Sequence, residues 1–183
     1  MVQSILRPGF LYFQSCVYLF GGRDEGDRPL RSCERLLSRA LNWQSCRPML
    51  TARAEFNPCA LQGLIYLCGG FAVDLEVYDP VADTYTCLQT AHISPNWGSP
   101  RTTCALVEEG NLIVLYENGL WRVDLVRKKL GAFECYSGEV WSCTSPVLYE
   151  GKLYLTSIEG QAKCRVIDLQ VPKGACLIEI QIP

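Results

Sequence analysis

The chain has 183 residues, 49% of them hydrophobic and 20% charged, with 17 basic against 19 acidic side chains and a formal charge of −2. That size and balance describe one folded domain with a sizeable core. They exclude a disordered chain, and one recruited by net charge to nucleic acid or to an anionic membrane surface.

Arg7 and Pro8 lead into the apolar run GFLYFQSCVYLF at 9–20. The proline before it, the interruption at Gln14-Ser15 and the lack of a small-residue cleavage site make it a pair of strands rather than a secretory signal. No run in the chain nears the roughly 20 apolar residues that span a bilayer, so no transmembrane helix is expected. The end of the first run, VYLFGG at 17–22, returns as IYLCGG at 65–70, and in looser form as LIVLYENG at 112–119 and KLYLTSIEG at 152–160. The aligned residues Tyr18, Tyr66, Val114 and Tyr154 are 48, 48 and 40 positions apart. A period of this length signals a repeat architecture.

The segment LRSCERLLSRAL at 30–41 places leucines about as well for a helix as for a strand, and reads as strand or irregular chain. Before each later anchor comes an apolar stretch and a turn, with Gly63, Gly110 and Gly151 where a tight hairpin needs positive φ. After the anchors come third runs, LEVYDP at 75–80, LWRVDL at 120–125 and CRVIDL at 164–169, then fourth runs, DTYTCL at 83–88 and ACLIEIQI at 175–182. Each unit is thus an antiparallel meander of four strands, with approximate limits 5–50, 51–95, 99–136 and 140–183.

Sheets of this size bury both faces only by stacking on neighbours, and the radial solution is a β-propeller. The expected fold is all-β: one domain over residues 1–183, a propeller of about four four-stranded antiparallel blades, closed or partial. The central strand of a blade is apolar on both faces because neighbouring blades sandwich it. Gly21-Gly22 and Gly69-Gly70 end that strand where a side chain would collide with the next blade. An unclosed arc would leave sheet edges and apolar faces that favour self-association.

Eleven cysteines, an odd number without a CxxC spacing, fall largely inside strand-like runs. They read as small buried hydrophobes in a reducing, cytoplasmic setting. The alternative, a secreted disulfide scaffold, suits shorter chains that lack a core.

These residues resemble the kelch repeat. Gly21-Gly22 and Gly69-Gly70 match its double glycine, and Trp43 with Pro48-Met49 and Ala52-Arg53 matches its tryptophan-to-arginine step. Tyr78-Asp79-Pro80 with Asp83-Thr84-Tyr85 resembles the loop between its third and fourth strands, and Ser99-Pro100-Arg101 the end of the step. Arg53 and Arg101 each stand 13 residues before their anchors. The third and fourth units depart from the pattern, with Glu117-Asn118 and Ser157-Ile158 in place of the glycine pair.

The resemblance implies a protein-interaction module, an adaptor or scaffold that binds an unnamed protein partner through loops at the channel mouth. Eleven residues before each anchor, just inside the first strand, stand Arg7, Glu55, Thr103 and Cys143. By repeat symmetry these four ring one end of the channel and are the candidate partner contacts. Trp97, in NWG between prolines, is a further aromatic contact. Arg53 and Arg101 are expected to brace blade contacts through their guanidinium forks. No BTB-like helical region stands before the repeats, so no ligase-adaptor role is assigned to the chain as it stands.

The alternative is an enzyme on a propeller scaffold, an oxidase or a hydrolase. Copper radical oxidases of kelch-like build need two histidine ligands, and this chain has one histidine, His92. There is no GxSxG elbow and no GxxxxGK loop, and Glu108-Glu109 beside Gly110 reads as a turn. The chain is therefore expected to be no enzyme and to carry no metal or other cofactor.

Overall fold

A computed structural model describes residues 5–37, 42–70, 72–88, 103–108, 111–116, 119–124, 129–133, 147–157, 163–168 and 178–181. Among them every regular element is a strand. The chain divides into two compact units, Met1–Cys104 and Ala105–Pro183.

The first unit holds two meanders. One runs β1 (Gly9–Phe13), β2 (Cys16–Phe20), β3 (Cys33–Leu37) and β4 (Trp43–Ser45), in that spatial order. The other runs β5 (Cys59–Leu61), β6 (Leu64–Gly69), β7 (Ala72–Asp79) and β8 (Thr84–Leu88), each strand pairing antiparallel with the next. The ambiguous leucine-rich segment is a strand over 33–37. A strand fits because Cys33 and Phe20 face each other across the ladder and are both buried.

The hairpins explain the glycine spacing. β5 and β6 are joined by Gln62-Gly63 with φ of 50° and 84°, and the positive φ at both residues is the type I′ geometry that suits strand twist. β1 and β2 are joined by Gln14-Ser15 in the same conformation, φ 48° and 60°, without any glycine. Gly110 lies outside the described residues.

The two sheets of this unit pack face to face. Tyr18 and Phe20 meet Tyr78 edge-on, ring centres 6.2 and 5.9 Å apart, over a floor of Met49, Phe56, Ile65 and Leu67. Each fully buried aliphatic side chain here contributes about 1.5–3 kcal/mol. β6 is buried on both faces, as a sandwiched central strand should be. β2 is not: Cys16, Tyr18 and Phe20 are buried, but Val17 and Leu19 only half so. Their face carries Phe10, Tyr12 and Trp43, all exposed.

The second unit contains β10 (Asn111–Tyr116), β11 (Gly119–Asp124) and β12 (Lys129–Phe133) in antiparallel order. It also contains β13 (Val147–Tyr149), β14 (Lys152–Ser157), β15 (Lys163–Asp168) and β16 (Ile178–Gln181), another four-stranded meander. Its first hairpin, Glu150-Gly151, repeats the type I′ turn with φ of 49° and 71°. β9 (Thr103–Glu108) opens with Thr103 opposite Gly69.

Candidate interaction site

At the end of the first unit where β2 and β6 finish, three segments converge: residues 5–8, the β2–β3 loop at 21–32, and the connection 46–58 between the two sheets. Bare backbone lets them meet. Gly21 and Gly22 have φ of 59° and 95°, and the Gly22 N–H donates to the Arg53 carbonyl at 2.8 Å. A Cβ on Gly21 would stand 2.1 Å from the Arg53 oxygen, and one on Gly22 would stand 2.4 Å from Ile5 Cγ2. Gly70, φ 68°, repeats the device, since a Cβ there would reach within 2.8 Å of the Ala54 oxygen. Gly21, Gly22 and Gly70 thus lie directly under the incoming chain.

Beneath this end lies a buried ion pair. Arg53, fully buried, donates through Nη1 to the Gly69 carbonyl at 2.7 Å and through Nε and Nη2 to Glu76 Oε1 at 3.2 and 3.1 Å. Glu76 also accepts the Leu50 and Thr51 N–H groups at 2.8 and 2.9 Å. A charge taken this far from water persists only when paired and hydrogen-bonded, and this one is both. Arg53 thus ties the connection between the two sheets to β6 and β7; its partner, Glu76, was not picked out from the sequence. The only local signal was a carboxylate in the middle of an apolar strand.

Above it, Arg7 and Glu55 come together as repeat equivalents. Arg7 Nη1 lies 3.0 Å from Glu55 Oε1, and the Glu55 N–H donates to the Arg7 carbonyl at 3.0 Å. Arg23 joins them from below, Nε to Glu55 Oε1 at 3.1 Å. Burial pushes the Glu55 carboxyl up, but the hydrogen bonds and charges of Arg7 and Arg23 outweigh it and hold the group below its usual range. Neither residue lies just inside a strand, which corrects the sequence reading. Both are left-handed, φ 51° and 59°, and that conformation turns the chain out of the ladder before β1 and β5 begin.

The β2–β3 loop completes the rim. Asp24 accepts the Gly26 and Arg28 N–H groups at 2.9 Å each and pairs with the Arg28 guanidinium at 2.8 Å. The Arg28 N–H bond leads in holding the Asp24 carboxyl below its usual range. Arg23 Nη1 donates to the Asp27 carbonyl at 2.7 Å, tying the loop to the Arg7–Glu55 pair. Arg23 and Asp24 escaped the sequence reading because nothing repeats them. The rim exposes Arg7, Glu25, Asp27 and Arg28, both signs within a few residues.

Of the other expected contacts, Thr103 opens β9 opposite Gly69. Cys143, Trp97, Arg101 and His92 lie outside the described residues. Among the described residues no three His, Cys, Asp or Glu side chains converge as metal ligands, and no helix is long and apolar enough to cross a membrane.

Residues 52–91 match the sequence profile of the kelch motif. The F-box/kelch-repeat protein SKIP30 of Arabidopsis thaliana is 35% identical over 97 residues, which span 49% of this chain but only 26% of that protein. Among solved structures, that of YjhT superposes with a TM-score of 0.64 at 12% identity, covering 98% of this chain and 65% of that one. At such identity the likeness speaks for the fold alone: antiparallel four-stranded sheets of β-propeller type.

Proposed function

We propose that this chain, a kelch-repeat protein, is an adaptor or scaffold that takes a protein partner on the rim formed by Arg7, Glu55, Arg23 and the β2–β3 loop. The observation that carries the reading is the Arg7–Glu55 contact. Equivalent residues of successive repeats, opposite in charge, meet at one end of the sheets on left-handed backbone that neither residue type favours. Strain of that kind on an exposed charge is better explained by presentation to a partner than by stability, because an exposed ion pair contributes only about 0–1 kcal/mol. Alternating charge on the rim favours a partner surface with complementary charges, which sets orientation and encounter rate.

The test is capture of a partner from cell extract by the full chain, followed by cross-linking to locate the contact. The double variant Arg7→Ala/Glu55→Ala is expected to lose the partner while its melting temperature stays within a few degrees of the parent. Cross-links that avoid residues 5–8, 21–32 and 55 would refute the assignment, as would undiminished capture by the variant. Self-association has a separate basis, the exposed face of Phe10, Tyr12 and Trp43. Light scattering over a concentration series checks it.

A further inference from the structure

Away from the rim, at the far edge of the first sheet, two cysteines face one another. Glu34 and Ser45 are paired across β3 and β4, so the next rung sets Cys33 opposite Cys46, and the Cys46 N–H donates to the Cys33 carbonyl at 2.8 Å. Directly opposed residues project to the same face with Cβ atoms about 4.5–5.5 Å apart. A hydrogen-bonded pair such as this sits at the wide end of that range, and a disulfide needs about 3.5–4.5 Å, so about 1–2 Å of closure separates the pair from a bond. β4 is the edge strand, three residues long, and Cys46 lies just past its end. Just beyond it Arg47 is tied to Asp83 through its N–H and its Nε, both at 2.9 Å, so the closing shift has to come from the short edge strand and the two side chains.

The two thiols are unequal. Cys33 is 2% exposed, whereas Cys46 is half-buried and open to a small reagent. They share a hydrogen bond, which is the leading cause of opposite effects on them. It lowers Cys46 to about 7, against burial and the Asp83 carboxylate and with help from the Arg35 guanidinium. The same bond, with burial, pushes Cys33 up. Around them, Tyr78 donates to Asp83 at 2.8 Å, and Asp83 in turn accepts the Arg47 N–H at 2.9 Å. Cys46 Sγ also faces the Gln44 carbonyl at 3.9 Å. The accessible sulfur is thus the one biased toward thiolate, the nucleophilic form, and the shielded sulfur stands beside it where a resolving cysteine has to be.

We propose that Cys46 and Cys33 form a thiol-oxidation site, in which a hydroperoxide oxidises Cys46 to its sulfenic acid and Cys33 closes on it as a cross-strand disulfide. In the first step the Cys46 thiolate attacks the terminal peroxide oxygen. The S–O bond forms, the O–O bond breaks, sulfur is oxidised by two electrons, and the departing oxide takes up a proton. In the second step the Cys33 sulfur attacks the Cys46 sulfur, the S–O bond breaks, and the Cys33 proton leaves with the hydroxide as water. This inference does not rest on the partner-binding reading.

The experiment uses the full, reduced chain with one equivalent of hydrogen peroxide at neutral pH, followed by thiol blocking and non-reducing peptide mapping. The expected product is a linked pair of peptides carrying Cys33 and Cys46. With Cys33→Ser the disulfide is lost and dimedone traps a sulfenic acid on Cys46. Iodoacetamide should label Cys46 with a midpoint near pH 7, against about 8.5 for an ordinary thiol. Arg35→Gln keeps both sulfurs, guards against misfolding of the Cys33 variant, and should shift that midpoint upward. Oxidation of exposed Cys87 ahead of Cys46, a disulfide that omits either member of the pair, or a dimedone adduct on Cys33 overturns the proposal.

Discussion

Glu76→Gln tests the buried ion pair with almost no change of shape. Among the described residues, Glu76 Oε1 receives the Arg53 Nε and Nη2 and the Thr51 N–H, and Oε2 receives the Leu50 N–H. The amide is therefore expected to keep its oxygen at the Oε1 position and set its NH2 against Leu50, losing one backbone bond worth about 1 kcal/mol. The larger effect is electrostatic. Arg53 has no exposure, and stripping the counter-charge from a buried ion costs about 3–5 kcal/mol. Together these give about 4–6 kcal/mol, a large share of the roughly 5–15 kcal/mol that holds an ordinary domain together. Urea unfolding of the full chain should show it as a midpoint lower by about 2 M at a slope of about 2–3 kcal/mol per molar. Adding Arg53→Met removes the stranded charge, and the double variant should regain at least about 2 kcal/mol over Glu76→Gln alone. A loss below about 1 kcal/mol in the single variant, or additive effects in the pair, would show that the buried charges are not coupled as described.

The glycine pair separates steric from conformational need. Gly21→Ala drives a methyl into the Arg53 carbonyl on positive-φ backbone and should cost about 3 kcal/mol, whereas Gly63→Ala, with nothing within 4 Å, should cost only about 1 kcal/mol; equal losses in urea melts would contradict this. Glu55 and Asp83 both titrate lower when folded than their ordinary values of 4.5 and 3.8. Their stabilisation is therefore full above those values and drains as pH falls through the lowered folded ones. Thermal melts should drop below about pH 4.5, and Glu55→Gln should flatten the upper part of that slope. The Tyr85 hydroxyl is buried and among the described residues has only the weakly accepting Cys33 sulfur as a partner, so Tyr85→Phe should leave stability nearly unchanged; a loss above about 1 kcal/mol in the same melts would mean that the hydroxyl is better satisfied.

Much of the fold was legible because its determinants are local. The hairpins at Gln62-Gly63 and Glu150-Gly151 follow from a glycine at the second turn position, and the strand ends at Gly21-Gly22 and Gly69-Gly70 from pairs on positive-φ backbone, three of whose four members a neighbouring segment approaches closely. The hairpin at Gln14-Ser15 has the same conformation without the residue that announces it; repeat alignment, not turn chemistry, locates it. The candidate site was legible only in part. Spacing paired Arg7 with Glu55, but left-handed φ at an arginine and a glutamate has no sequence mark, so both were set inside strands they in fact precede. Glu76 and Arg23 were missed for another reason. Each acts through a residue 23 or 32 positions away, a distance that only sheet packing closes.

Arg53 shows why the arginine and the glycine pairs occur together. Its carbonyl receives the Gly22 N–H, so its backbone lies on the first glycine pair, and its guanidinium reaches the Gly69 carbonyl of the second. One residue thus ties two successive glycine turns, and Glu76 neutralises it while holding the Leu50 and Thr51 amides that lead into it. A side chain at Gly21 would push the arginine backbone off its seat, and a neutral residue at 53 would leave the Glu76 carboxylate buried without its counter-charge. Each element of the motif is required by the other, which is the physical content of their fixed spacing. The rim above it is held to the same backbone: Glu55 follows Arg53 by two residues, so whatever shifts the arginine also moves the carboxylate that meets Arg7.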